Sequence, residues 1–551
     1  MHESQKQRLS KSSRDVLFCN ANILCGAADL AKARSEAMLV RNGQIVAIGS
    51  AKSLRAGARQ PEVVDLGGRF VMPSFVEPHG HIFWTGVQQM RLQLGACCSF
   101  DELIEKVVQA AQKLPPGSWI QGEGWDQNLW DNGREALPTH TKLSAAVAQH
   151  PVVLTRCDGH AVLVNAVAMS HCGINDSRQD PAGGRIVRDE VGQPTGILLE
   201  TAMELVFREV PAPDAHQRRE ALRAGLKILA AHGITAFHEC GANAEEIKIL
   251  QDEYLTARFH VLIDGNDDAL VEDWLQRGPK LWDHADRLQI RAIKLFADGA
   301  LGSRGALLME PYNDDPTNSG VAICPQHRIE SVSVAALRRG FQVGVHAIGD
   351  LAARIVLDGF EAALRQCPHE KQKRDHRFRM EHAQLLHPRD VPRFAAMGVV
   401  ASMQSCHCTS DLPWLEARLG TARAAERGYL WRALWDSGAV VINGSDTPVE
   451  PPNPFWSLHA AITRRPRDAS SGEGAFVPSQ CLSVEQALAA ATTNAAWAGF
   501  GEHLSGELRP GMPADFIVLN QDVFARPFAE LCDVLVTQKV DETWLSGQRV
   551  Y

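Results

Sequence analysis

The sequence predicts an α/β chain built around a (β/α)8, TIM-like barrel. A small β-sandwich assembled from both termini and an inserted α+β subdomain after strand one complete it. Three observations predict this. Eight short apolar runs follow one another along the middle of the chain, mostly continuous, as parallel strands buried on both faces should be. Six residues able to bind a hard or borderline cation (His79, His81, Lys294, His346, His382 and Asp446) lie in or just past the ends of such runs. Strand-like alternation returns at both termini. In a (β/α)8 barrel all strand C-termini meet on one face, so side chains far apart in sequence can share one site there.

The N-terminal strands come first. Residues 15–24 alternate, and runs at 37–40 and 45–48 flank Asn42-Gly43, a strong hairpin signal. The barrel strands then count to eight. Run 70–76 leads to His79, 233–237 to His238-Glu239, and 259–263 to Asp264. Run 290–296 contains Lys294, 342–348 contains His346, and 378–383 contains His382. Run 399–403 leads to Gln404, and 440–443 to Gly444-Ser445-Asp446. Helices separate the later runs. Apolar residues of 351–364 recur at three- and four-residue steps, and Ser483 with Gln486 reads as a capping box opening an Ala-rich helix.

About 150 residues separate strands one and two, far more than a βα unit needs. That interval holds a helix at 100–114, strands at 119–121 and 152–155, and Gly/Pro-rich turns. Residues 95–210 are therefore expected to form a subdomain emerging on the catalytic face and covering the site. Residues 1–70 with 505–551 make the sandwich, whose C-terminal strands are expected at 515–519, at 533–536 and around the Ser546-Gly547 turn. Residues 71–94 with 211–504 make the barrel.

With 551 residues, 45% hydrophobic and 22% charged, the chain has an ordinary globular composition. Its 56 Lys+Arg against 65 Asp+Glu give a formal charge of −9, with no basic stripe, which excludes nucleic acid and anionic membrane surfaces as expected partners. The first residues are polar without an apolar core, and no run of about 18 apolar residues exists, so neither a secretion signal nor a membrane span is expected. Thirteen cysteines without a CxxC pair read as reduced thiols in a cytoplasmic protein. Cys97-Cys98 and Cys406-His407-Cys408 read as buried small hydrophobes rather than a soft-metal site. A small-molecule substrate is the expected partner, and a homodimer the assembly considered.

The chemistry rests on strand ends. In His79-Gly80-His81, residues i and i+2 of an extended segment face the same side, so both imidazoles can reach one ion. With 21 histidines in the chain, such a pair also arises by chance. A buried Lys294 pays heavily for its charge. It is either salt-bridged to a carboxylate such as Asp298 or neutral and carboxylated, with two oxygens for cations. His346 and His382 on successive strands are ligands or satisfied core histidines. Asp446 is a ligand and proton carrier, or the cap of the next helix.

The phrases GWDQNLW (124–130), DGHAVLVN (158–165), IKLFADGALGSR (293–304), VHAIGD (345–350), EHAQ (381–384), GSDTP (444–448) and PNPFWSLHAAITRR (452–465) resemble the amidohydrolase superfamily. They are similar to its YtcJ-like branch, which includes N-substituted formamide deformylase. The resemblance implies HxH on strand one, Lys on strand four, His on strands five and six, and Asp on strand eight. It also implies a divalent metal, zinc by ligand type, as one or two ions with Lys294 carboxylated in the two-ion form. Asp158, His160, Asp298, Arg304 and His407 are candidates for substrate contact. The implied reaction is hydrolysis of an amide, N-acyl or N-formyl C–N bond by a metal-activated water, with Asp446 moving the proton. A mononuclear deaminase or cyclic amidase, or a non-catalytic regulatory homologue, is the alternative. Two positions depart from the family pattern: Ser74 stands for its usual Gly and Glu77 for its usual Asp. Cysteines flank His407.

Overall fold

In a computed structural model of the protein, residues 15–127, 130, 137–157, 161–181, 184–282, 286–368, 375–469 and 474–551 are described. The chain divides into two compact units, Met1–Trp84 with Gly225–Tyr551, and Thr85–Ala224.

The larger unit contains the expected barrel. Its strands are β1 (Phe75–Gly80), β2 (Ile234–Ala242), β3 (Arg258–Asp264), β4 (Leu288–Phe296), β5 (Gln342–Ala347), β6 (Arg379–His382), β7 (Val400–Met403) and β8 (Val441–Asn443). Each pairs in parallel with the next, in sequence order. Nearly every residue of these strands is buried, which explains their continuous apolar runs. The ring closes beyond the ends of β1 and β8: Asp446 N–H donates to His79 O at 2.9 Å and His81 N–H to Thr447 O at 2.8 Å. Closure therefore fixes two predicted ligands from β1 directly against the turn carrying Asp446.

One apolar run encodes two strands of different sheets. Residues 70–76 read as one barrel strand, yet Phe70–Pro73 pairs antiparallel with Phe516–Leu519, and β1 begins at Phe75. The backbone partner changes within one residue: Ser74 N–H donates to Asp515 O, and Phe75 N–H to Gly233 O. Both sheets bury this run, so hydrophobicity alone carries no mark of the switch.

The termini form two further sheets. Gln44–Gly49, Ala37–Arg41, Asp15–Cys19 and Glu62–Asp65 make one, in that spatial order. Asn22–Ile23, Phe70–Pro73, Phe516–Leu519, Glu542–Leu545 and Gln548–Arg549 make the other. Phe18, Met38 and Ile45 share one core with Val71, Phe516 and Val518, so residues from both chain ends fill it. The expected hairpin at Asn42-Gly43 is present, both residues at positive φ, as a tight two-residue turn demands. Residues 533–536 are not a strand; they lie in helix Phe528–Thr537. Leu531 and Leu535, one turn apart, are the buried face of that helix, and a four-residue segment with three apolar residues cannot distinguish this period from a strand's. Arg258 of β3 joins the barrel to the terminal sheet through a buried bidentate pair with Asp515, at 2.7 and 3.1 Å.

The expected helix at 351–364 spans Asp350–Gln366, and Ser483 and Gln486 form both halves of a capping box. Among the described residues no helix is long and apolar enough to cross a membrane. All thirteen cysteines are free. Burial pushes the thiols of Cys406 and Cys408 up to about 12, which leaves them unreactive.

The smaller unit is an α+β layer. Its six-stranded sheet runs Gly184–Arg188, Pro194–Glu200, Ala161–Val164, Val152–Arg156, Ile120–Trp125, Leu92–Gln93. Helix Phe100–Ala111, capped by Ser99, packs Leu103 and Val107 into a core with Trp125, Leu154 and Leu163. Asn165 is fully buried, accepts from Val152 N and Ala168 N, and donates to Val147 O and His150 O. That meets its full amide capacity at the start of a helix.

Candidate active site

The C-terminal ends of the barrel strands deliver the site. β1 carries His79 and leads into His81; β4 carries Lys294; β5 and β6 carry His346 and His382; the turn after β8 carries Asp446. All six line one cavity of about 480 Å³. One ring nitrogen each of His79 and His382 and one Asp446 oxygen lie within 4.8 Å of one another. Asp446 Oδ1 is 3.2 Å from His81 Nε2 and 3.5 Å from His79 Nε2. The His346 and His382 rings are 4.5 Å apart, centre to centre.

Supporting side chains set which ring nitrogen faces inward. His79 Nδ1 lies 2.5 Å from Glu381 Oε2, and His382 Nδ1 lies 2.9 Å from Gln404 Oε1. With Nδ1–H donating to these acceptors, each Nε2 keeps its lone pair for the cavity. Glu381 is itself held by Arg379, whose guanidinium also donates to Pro78 O and to His238 Nδ1. Burial acts to raise the Glu381 carboxyl, but Arg379 and His79 hold it well below the ordinary carboxylate range. Neither Glu381 nor Arg379 was singled out from sequence. The available signal was an i, i+2 charge pair inside a run that had to be buried.

Glu77 anchors the other side. Its carboxylate accepts from Ser445 N at 3.0 Å, Ser445 Oγ at 2.7 Å and His79 N at 3.1 Å, tying β1 to the turn that carries Asp446. A Cβ at Gly444 would sit 2.2 Å from Glu77 Oε1, so this turn requires glycine. Burial raises Glu77 to about 7. His382 and Asp446 both adopt positive φ, 71° and 59°, at a cost of order 1–3 kcal/mol each. Their surroundings hold them there, as functional positions often require.

Lys294 is 1% exposed, and its Nζ lies 4.5 Å from the centre of the Phe296 ring. It makes no ion pair with Asp298. Burial presses its amine below the ordinary lysine value. Burial likewise lowers His346 to about 3 and His382 well below the usual imidazole range, so both rings are neutral, the form a metal needs. Burial acts to raise Asp446, but the His79, His81 and His382 imidazoles hold it below the carboxylate range.

The remaining candidates are placed differently from one another. His407, on helix Ser405–Leu419, lines the cavity with its ring 6.0 Å from that of His382. Asp298 sits behind the cavity wall, 3.5 Å from His346 Nε2, and accepts from Leu307, Ile348 and Gly349 N–H groups. Arg304 is paired with Asp314 and is not among the residues that line the cavity. Asp158 and His160 lie outside the described residues.

The residues fit a divalent metal. His79 Nε2 and Asp446 Oδ1 are buried without a hydrogen-bond partner of proper geometry, an expensive arrangement unless a cation takes the lone pairs. Neutral imidazoles with a carboxylate are the donor set of zinc-like ions.

Comparison with known proteins agrees. The profile of the Amidohydrolase family matches residues 62–551. Protein LONG AFTER FAR-RED 3 of Arabidopsis thaliana is 34% identical, over 98% of this chain and 91% of its own. The amidohydrolase YtcJ of Bacillus subtilis is 33% identical, over 94% and 96%. N-substituted formamide deformylase of Arthrobacter pascens is 25% identical, over 92% and 94%. An uncharacterized metal-dependent hydrolase from Pyrococcus furiosus has the same fold, with a TM-score of 0.73, 26% identity, and coverage of 92% of this chain and 99% of that one. A barrel with this set of strand-end residues, matched over nearly its whole length, belongs to the amidohydrolase family of hydrolases.

Proposed function

We propose that this hydrolase cleaves a C–N bond of a small molecule, in an amide, N-acyl or N-formyl group, at a divalent-metal centre. His79, His81, Lys294, His346, His382 and Asp446 would hold the metal, and zinc suits them best. The convergence of all six on one cavity, with His79 Nε2 and Asp446 Oδ1 buried there 3.5 Å apart, carries this reading. The name of the Arthrobacter relative supports the N-formyl case.

Bound there, the metal would supply Lewis acidity toward the scissile carbonyl and toward water. Asp446 performs the proton transfers. Its carboxylate takes a proton from water as the new C–O bond forms, then gives it to nitrogen as the C–N bond breaks, so it ends as it began. Lys294 would act as a carbamate: its neutral amine adds CO2 and loses a proton, placing an anionic oxygen pair in the cavity. Burial favours the uncharged amine this needs. Glu381 and Gln404 keep the His79 and His382 rings in the tautomer that presents Nε2.

A second reading has its own support. Of the candidate histidines and Asp446, His79, His382 and Asp446 bring donor atoms within 4.8 Å of one another as a trio, which favours a single ion and a deaminase or cyclic-amidase reaction. Metal stoichiometry by mass spectrometry, beside hydrolysis of N-formyl, N-acyl, cyclic-amide and ester panels, separates the two. Two ions per chain with N-acyl or N-formyl hydrolysis is the expected result. Full activity in metal-free protein would overturn both, and a chain that binds no metal would favour a regulatory role.

A further inference from the structure

We propose, resting on the reading above, that the substrate carries a positively charged N-substituent and that Glu450 receives it. Glu450 is 8% exposed and lines the same cavity as the six candidate ligands. Its polar contact is the Ser410 hydroxyl, which donates to Oε1 at 2.5 Å. No lysine, arginine or histidine among the described residues pairs with it.

Apart from Asp446, which belongs to the metal-ligand set, the other carboxylates around the cavity are each satisfied by the protein. Glu77 takes the Ser445 and His79 amides, and Glu381 takes Arg379 and His79. Asp298 takes three backbone N–H groups, and Asp411 takes Gln384 Nε2 at 2.8 Å and the Tyr429 hydroxyl. Asp446 lies among the histidines. Outside the metal-ligand set, and among the described residues, Glu450 alone lines the cavity as a carboxylate with one neutral donor behind it. Among the described residues, Lys294 is the one lysine or arginine lining the cavity, and it belongs to the metal-ligand set.

Water in the cavity can solvate Glu450 until a ligand displaces it. A neutral substituent would then leave a buried carboxylate uncompensated, whereas a cation would pair with it. The walls add to this preference. Trp84, Phe296 and Trp414 line the same cavity, and Trp84 is 49% exposed, leaving ring face available to a cation. The carboxylate and the aromatic walls together describe a receptor for an alkyl- or arylalkyl-ammonium group.

Benzyltrimethylammonium is a suitable probe, because it is permanently charged and has no lone pair for a metal. Its binding to the metal-loaded protein is measured by calorimetry, beside the anion phenylmethanesulfonate. The cation should bind and the anion should not. Glu450→Gln should weaken the cation by about 30-fold or more, the scale for truncating one side of a buried charge pair. Trp84→Leu, at a half-exposed position that tolerates change, should weaken it by about 2- to 30-fold. Equal binding of cation and anion, or undiminished binding in both variants, overturns the proposal. No turnover is involved, so a failure of the hydrolase reading does not decide this test. Conversely, equal kcat/KM for matched neutral and cationic N-acyl amines would remove the substrate class and leave the hydrolase reading intact.

Discussion

His79 Nδ1 lies 2.5 Å from Glu381 Oε2, and Arg379 grips the same carboxylate from inside the barrel. This imidazole, whose Nε2 lies 3.5 Å from Asp446 Oδ1, is therefore oriented by a residue of a different strand. Glu381→Gln keeps the shape and an acceptor oxygen but removes the charge. It should weaken metal affinity by about 10- to 100-fold, the usual effect of losing such a supporting carboxylate. Metal titration of the variant checks this, and an unchanged affinity would show that Glu381 serves only Arg379.

Asp446→Asn should leave the fold intact and lower kcat by about 10²-fold or more, with a smaller loss of bound metal. Steady-state kinetics at full metal occupancy measures it. An unchanged kcat would reduce Asp446 to a turn residue whose positive φ serves only the Thr447-Pro448 corner.

Lys294→Ala should lower metal content and activity together. Added acetate or propionate should restore part of both by filling the vacated space with a carboxylate. Lys294→Arg should resist rescue, because the guanidinium keeps its charge and occupies the site. Rescue of neither variant, with metal retained in both, would refute the carbamate.

Burial pushes Asp411 up to about 6 despite hydrogen bonds from Gln384 and Tyr429. The folded state thus keeps a proton that the unfolded chain releases near pH 4. Stability from this group is full below about pH 4 and is lost as pH rises through about 6. Wild type should therefore lose stability relative to Asp411→Asn between about pH 4.5 and about pH 7. Tm differences across that range test it, and a constant difference would mean the carboxyl titrates normally.

The sequence by itself determined the barrel, because eight apolar runs buried on both faces admit few other arrangements. It also determined that His79, His81, Lys294, His346, His382 and Asp446 fall at strand ends, since that follows from where each run stops. Tertiary structure alone decided the rest. The division of the run at 70–76 between two sheets is unreadable because both bury it, and the helix over 533–536 is unreadable because three apolar residues carry no period. The pairing of Glu381 with His79 and Arg379 spans up to 302 positions and depends on which side of β6 faces inward. The Glu77 anchor on Ser445 depends on barrel closure. Glu450 became notable only because folding left it lining the cavity with the Ser410 hydroxyl, and no lysine or arginine among the described residues, as its partner. Hydrophobic pattern is local and therefore legible in sequence, whereas the partners of buried charges are long-range and appear only once the strands are closed into a ring.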